Sequence, residues 1–250
     1  MKSESELVFG IHSVESALKH QADSVTELWI DDQRHDDRIK NIKRLANQAG
    51  KPVHAVDKSY LNQHHPDVRH QGVVARIASA GLLGEADLNK LLQQHQQPLL
   101  LVLDGVQDPH NLGACLRTAD AVGVSAVIVP KDRAVGLTAI VRKVASGAAE
   151  TVPLIQVTNL ARCLKDLKQQ GVWLVGLAGE AEDDIYATDL AGPIALVMGA
   201  EGSGMRRLTK EHCDFLVKIP MSGTVESLNV SVATGVCLYE AYRQRNHAKD

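Results

Sequence analysis

From residue 98 onward the chain alternates short, uninterrupted apolar runs with segments of helical spacing, and few folds accept that alternation. The runs occupy residues 99–103, 126–129, 172–177 and 194–198. Apolar stretches without a polar alternate belong to strands covered on both faces. Between them lie helical patterns at 111–122, closed by Gly123, at 138–146, and at 159–169, closed by Gly171. A last, longer helix is expected over 227–245. Strands that alternate with helices give a parallel sheet with helices on its faces, and such sheets hold ligands in the loops at the carboxyl ends of their strands.

The first part of the chain reads as a smaller α/β unit. Helices are expected over 11–18 and 38–49, the latter stopped by Gly50, with strands at 25–30, 52–56 and 72–77. Between the two parts, SAGLLGEADLNKLLQQHQQ is small-residue-rich and then polar, with Asp87 a candidate cap for a short helix. The expected organisation is therefore a domain over 1–78, a linker over 79–97 and a second domain over 98–250.

Composition excludes several function classes. No apolar stretch approaches the ~20 residues of a membrane span, and the opening MKSESELVFG lacks the apolar core of a secretory signal. A cytoplasmic protein with no membrane partner is expected. Cys115, Cys163, Cys213 and Cys237 are far apart with no C-x-x-C pair, which argues for buried thiols and against zinc or a disulfide framework. Eight of eleven histidines precede residue 98 without a carboxylate or cysteine at ligand spacing, so no metal is expected. The net charge is −3 and aromatic residues make up 3%. A nucleic-acid footprint on this chain must therefore be local, because long phosphate contacts require a basic excess and base-stacking platforms require aromatics.

Three strand-end loops concentrate the polar residues. The first, Asp104-Gly-Val-Gln-Asp-Pro-His-Asn-Leu-Gly113, enters a helix that carries Arg117 six residues past Asn111. Asn111 can cap that helix or belong to a site. Arg117 can lie along an apolar surface or clamp a phosphate with its planar fork. The second, Met198-Gly-Ala-Glu-Gly-Ser-Gly-Met205, is G-x-x-G-x-G, not the G-x-G-x-x-G of dinucleotide binders. It reads as a flexible loop or one that approaches a ligand closely. The third, Ile219-Pro-Met-Ser-Gly-Thr-Val-Glu-Ser-Leu-Asn-Val-Ser-Val-Ala233, offers Ser227 or Asn229 as caps of the last helix.

Taken together, N-x5-R, MGAEGxGM and IPMxGxVxSLNVSVA resemble the three signature motifs of the SpoU (TrmH) family of SPOUT methyltransferases, in the same order over residues 98–246. FGIHSVESAL and HQGVVARI resemble the ribosomal-protein-like RNA-binding domain that some members carry. The resemblance implies a deep trefoil knot in the second domain, an exception to the un-knotted rule. It further implies a homodimer formed through the C-terminal domain, and methyl transfer from S-adenosylmethionine to a ribose 2′-hydroxyl. With both domains present, the implied target is a guanosine of 23S ribosomal RNA. Carried over by motif, the catalytic set is Asn111, Arg117, Glu201, Ser227 and Asn229, and the cofactor loops are centred on Gly199, Ile219 and Leu228. The rivals are the same chemistry on transfer RNA or another ribosomal nucleotide, an inactive RNA binder, and a nicotinamide-dependent oxidoreductase, for which the glycine fingerprint is missing.

Overall fold

The computed structural model describes residues 5–66, 68–78 and 83–247. It is a mixed α/β protein of two compact units, Met1–Gly81 with Leu137–Thr151, and Leu82–Gly136 with Val152–Asp250.

The first unit contains β1 (Ser5–Phe9), α1 (Ile11–His20), β2 (Val25–Asp31), α2 (Asp37–Gln48), β3 (Val53–Val56), α3 (Lys58–His64) and β4 (Val73–Ala78). Its four strands lie in the order β1-β4-β2-β3. β4 is antiparallel to both neighbours, and β2 is parallel to β3. Val8, Val14, Leu28, Ile30, Ile39, Ile42 and Val73 form the core between the sheet and the helices α1 and α2. Asp36 and Asp57 cap α2 and α3 by accepting the N–H groups of Ile39 and Ser59.

His70, 5% exposed, ties the turn before β4. Its Nδ1 accepts the Gly72 N–H at 3.0 Å, so its Nε2–H is free to donate to Asn62 Oδ1 at 2.9 Å. Burial holds its pKa below the usual histidine value, with nearby Lys58 acting in the same direction and Asp31 opposing. A depressed folded-state pKa means that the unfolded chain binds more protons. The associated stability is therefore present above about pH 6.5 and lost as the pH falls through the lower folded value. Melting temperatures of His70→Gln are expected to fall less steeply than wild type between about pH 7.5 and 5. Parallel slopes would remove His70 from the account.

The second unit contains α4 (Glu85–Gln94), β5 (Leu99–Asp104), α5 (Pro109–Val122), β6 (Ala126–Pro130), then β7 (Leu154–Val157), α7 (Leu160–Gln169), β8 (Trp173–Leu177), β9 (Asp183–Asp184), β10 (Ile194–Gly199), α8 (Arg207–His212), β11 (Phe215–Lys218) and α9 (Val230–His247). The intervening α6 (Ala139–Ala145) belongs with the first unit, where Ser13 and Ser16 donate hydrogen bonds to the carbonyls of Arg142 and Gly147. Seven parallel strands follow the order β7-β6-β5-β10-β8-β11-β9.

Leu100, Val102, Ile128, Val157, Leu174 and Val197 pack with Leu88 of α4 and Leu164 and Leu167 of α7. The alternate residues Leu101 and Leu103 are fully buried as well. Both faces of β5 are thus covered, which is the physical reason for its unbroken apolar run. α9 packs against α5 and β10.

Three local expectations change. Asn111 does not cap α5: Asp108 does, accepting the His110 N–H, with Pro109 at the first helical position. The last helix starts at Val230, and its cap is Asn229, whose Oδ1 accepts the N–H groups of Ser231 and Val232. Within the expected linker, 79–82 lie outside the described residues. Beyond them α4 is a packed helix in which Asp87 is not the cap but accepts the Gly84 N–H from the third helical position.

Burial pushes the Cys115 thiol up to about 11 and those of Cys163, Cys213 and Cys237 to about 12. All four are free thiols. Among the described residues no helix is long and apolar enough to cross a membrane, and no group of three His, Cys, Asp or Glu residues is gathered to hold a metal.

Candidate active site

β5 and β10 are neighbours, and β11 lies two strands from β10. The three polar loops therefore emerge on the same edge of the sheet, at the carboxyl ends of parallel strands, where open α/β sheets hold their ligands. Two cavities open there.

One, of about 420 Å³, is lined by Leu177, Met198, Ile219 and Leu228, by Ser227, and by the loop from Gly199 to Met205. Gly199 is dictated by space, because a Cβ there would stand 2.2 Å from Gly204 C and Met205 N. That close approach lets Ala200 and Gly204 exchange backbone hydrogen bonds of 3.1 and 2.9 Å. Gly202 and Gly204, at φ 74° and 65°, turn the loop through the left-handed region that glycine accepts without strain. At the rim, the hydrogen bond from Lys210 holds the Glu180 carboxyl below its usual range.

The other cavity, of about 380 Å³, is lined by Asp104, Gln107, Asp108, Asn111, Arg133 and Arg206. Ala200, Glu201, Ser203, Gly204 and Val230 line both. Glu201 thus stands in a common wall.

A hydrogen-bond network fixes that wall. Asn229 Nδ2 donates to Asn111 Oδ1 at 2.9 Å and to Glu201 Oε1, which also accepts the Val230 N–H at 3.3 Å. Because Asn229 Oδ1 is committed to capping α9, its amide faces one way only. Glu201 is then a carboxylate seated at a helix N-terminus, where negative charge is favoured. Its Oε2 makes no hydrogen bond among the described residues and is available to a ligand.

Asp104, 1% exposed, accepts hydrogen bonds from the Arg206 backbone N–H at 2.9 Å and from Arg206 Nε at 2.6 Å. This pair binds the start of α8 to the end of β5.

Of the residues expected from sequence, Asn111, Glu201 and Asn229 are in direct contact, and Gly199, Ile219, Ser227 and Leu228 line the larger cavity. Arg117 stands apart. It is exposed on α5, lines neither cavity, and makes no hydrogen bond or ion pair among the described residues. Asp104, Asp108, Arg133 and Arg206 escaped the sequence reading. Pro109 was a usable signal for Asp108, whereas nothing local marks a pair separated by 102 positions.

The model of the SpoU rRNA Methylase family matches residues 98–239, and a model described as RNA 2′-O ribose methyltransferase substrate binding matches 7–82. The chain is 56% identical, over 96% of its length and 98% of the relative's, to a Shewanella oneidensis protein named 23S rRNA (guanosine-2′-O-)-methyltransferase RlmB. It is 57% identical to the Pseudomonas aeruginosa protein of the same name, over 97% of this chain and 98% of that one. Among solved structures, the SpoU methyltransferase AviRb of Streptomyces viridochromogenes, in complex with the cofactor AdoMet, superposes with a TM-score of 0.81 at 25% identity. That match covers 97% of this chain and 91% of that one. With a family model matched over more than half its length and relatives more than half identical along nearly all of it, the chain belongs to the SpoU rRNA Methylase family.

Proposed function

We propose that this protein transfers the methyl group of S-adenosylmethionine to the ribose 2′-hydroxyl of a guanosine in 23S ribosomal RNA. The observation that carries the reading is Glu201, fixed by Asn111 and Asn229 in the wall between two adjoining cavities. Direct group transfer needs the reacting atoms in line and ~3–3.5 Å apart, and two cavities that adjoin at Glu201 bring a donor and an acceptor together beside it.

The larger cavity fits the methyl donor. Its size lies within the ~300–1,000 Å³ of small-molecule sites, Leu177, Ile219 and Leu228 offer apolar surface to an adenine ring, and the Glu180 and Glu226 carboxylates suit a cationic ligand. When bound there, the cofactor supplies an activated methyl group and a neutral leaving group. The chain's own part is positioning. Gly199, Ile219 and Leu228 hold the donor, while Glu201 Oε2 accepts a hydrogen bond from the ribose and Ser227 and Asn229 keep the loop in register. Arg117 stabilises, through its planar guanidinium, the oxyanion that develops on the ribose as the hydroxyl proton passes to water.

Arg117 lies away from both cavities of its own chain, so in this reading it acts on substrate held by a second copy. The exposed Val232, Tyr239 and Tyr242 of α9, the helix packed on α5, provide an apolar face for such a homodimer. Light scattering at micromolar concentration is expected to give a dimer, and Tyr239→Lys with Tyr242→Lys is expected to give monomers without activity. A monomeric wild type would refute the assembly.

The reading also includes a trefoil knot in the chain after residue 98 and a cytoplasmic location. The residues before 79 recognise RNA, and 98–250 bind cofactor and carry the chemistry. The central test is primer extension on 23S ribosomal RNA from a strain lacking the gene, before and after treatment with pure protein and S-adenosylmethionine. The expected result is one restored stop, at a single 2′-O-methylated guanosine. Absence of any stop would sink the proposal.

A further inference from the structure

The smaller cavity carries two side chains that the reaction as described leaves unused. Asp108 spends Oδ1 on the α5 cap, accepting the His110 N–H at 2.8 Å, and its Oδ2 makes no hydrogen bond among the described residues. Arg133 is a non-glycine residue at φ 60°, in the left-handed region. Its loop is anchored to the β5 loop by the Val135 N–H, which donates to the Val106 carbonyl at 3.1 Å. Glycine would serve a mere turn with less strain, so an arginine kept there at a cavity rim points to a use for its side chain. The neighbouring Arg206 is already neutralised by buried Asp104. Arg133 makes no ion pair among the described residues.

The two groups match different parts of one nucleotide. A carboxylate oxygen accepts hydrogen bonds, and among the common bases guanine alone presents an amino donor at C2 of its pairing edge. A guanidinium suits a phosphate. We propose, building on the methyl-transfer reading above, that this cavity receives the target guanosine. Asp108 Oδ2 accepts from the guanine 2-amino group, and Arg133 holds an adjacent phosphate. Asp108 selects the base; Arg133 sets its position along the strand.

The test is single-turnover methylation by the full-length protein of 23S ribosomal RNA fragments carrying guanosine or inosine at the target. Inosine lacks only the 2-amino group. Wild type is expected to be slower on inosine by about tenfold, in the range of one lost base contact. Asp108→Asn and Asp108→Ser both retain good helix caps, so α5 stays intact, as an unchanged melting transition would verify. Both variants are expected to slow on guanosine by at least about tenfold and to treat the two bases nearly alike. Arg133→Gly, which also relieves the backbone, is expected to raise KM for RNA by about tenfold, leaving kcat and base preference nearly unchanged. Wild-type rate and discrimination in both Asp108 variants would overturn the assignment. A wild type that methylates neither fragment while still binding S-adenosylmethionine would instead overturn the methyl-transfer reading, and this proposal with it.

Discussion

Single-turnover methyl transfer by Arg117→Ala is expected to fall by about 10²–10³, the usual cost of removing a preorganised donor that faces developing charge. Arg117→Lys should lose most of the same rate, because lysine keeps the charge but not the planar fork. Cofactor affinity measured by calorimetry should barely change, since Arg117 lines neither cavity of its own chain. Folding should not change either, because the side chain is exposed and makes no ion pair among the described residues. Mixing separates a role within one chain from a role across the dimer. If Arg117 serves the other copy, combining inactive Arg117→Ala with inactive Glu201→Gln should restore part of the activity, because one site in each mixed dimer keeps both groups. No recovery in mixed dimers would return Arg117 to its own chain's site. Near-normal transfer by Arg117→Ala would remove it from the catalytic set.

Gly199→Ala is expected to be the most damaging substitution of a single methyl group. The added carbon would lie 2.2 Å from two backbone atoms of the facing turn, and backbone cannot rotate aside as a side chain can. Overpacking of this kind costs about 1–3 kcal/mol and more where neighbours cannot give. The relaxation available is to push the turn at Gly204 and Met205 outward, which deforms the larger cavity and breaks the Ala200–Gly204 hydrogen bonds. Calorimetry should show S-adenosylmethionine affinity down by at least about tenfold, with a lower melting temperature. Gly202→Ala, at a position with open space but positive φ, should cost only about 1 kcal/mol. Equal effects from the two would argue against steric contact as the cause.

Much of this organisation was legible in the linear chain. The four unbroken apolar runs became β5, β6, β8 and β10, since burial on both faces removes the need for polar alternation. The helical patterns at 138–146 and 159–169 became α6 and α7, with Thr138 and Asn159 as their caps. Other elements left a weaker trace. β9 has two residues, both aspartate, and pairs with β11. β7 interrupts its apolar run with Gln156. Asn111 is a good capping residue in isolation, so the sequence leaves it open between cap and site, whereas Pro109 one place after Asp108 marks the boundary of α5. The contacts that build the site are a different matter. Asn111 and Asn229 are 118 positions apart, and Asp104 and Arg206 are 102 apart. Such pairs are set by which strands become neighbours, and local pattern carries no record of that.

The shared wall has a thermodynamic corollary. The strip from Ala200 to Gly204 lines both cavities, so ligands bound in the two cannot be energetically independent wherever filling one shifts the strip. Linkage then requires that the factor by which cofactor changes RNA affinity equal the factor by which RNA changes cofactor affinity. The demethylated product of the cofactor occupies the same seat but lacks the methyl group and the sulfonium charge, so its factor differs from the donor's by what those two contribute. The ratio of RNA affinities with donor and with spent donor therefore measures, at equilibrium and without any turnover, how strongly the protein distinguishes a loaded site from a used one.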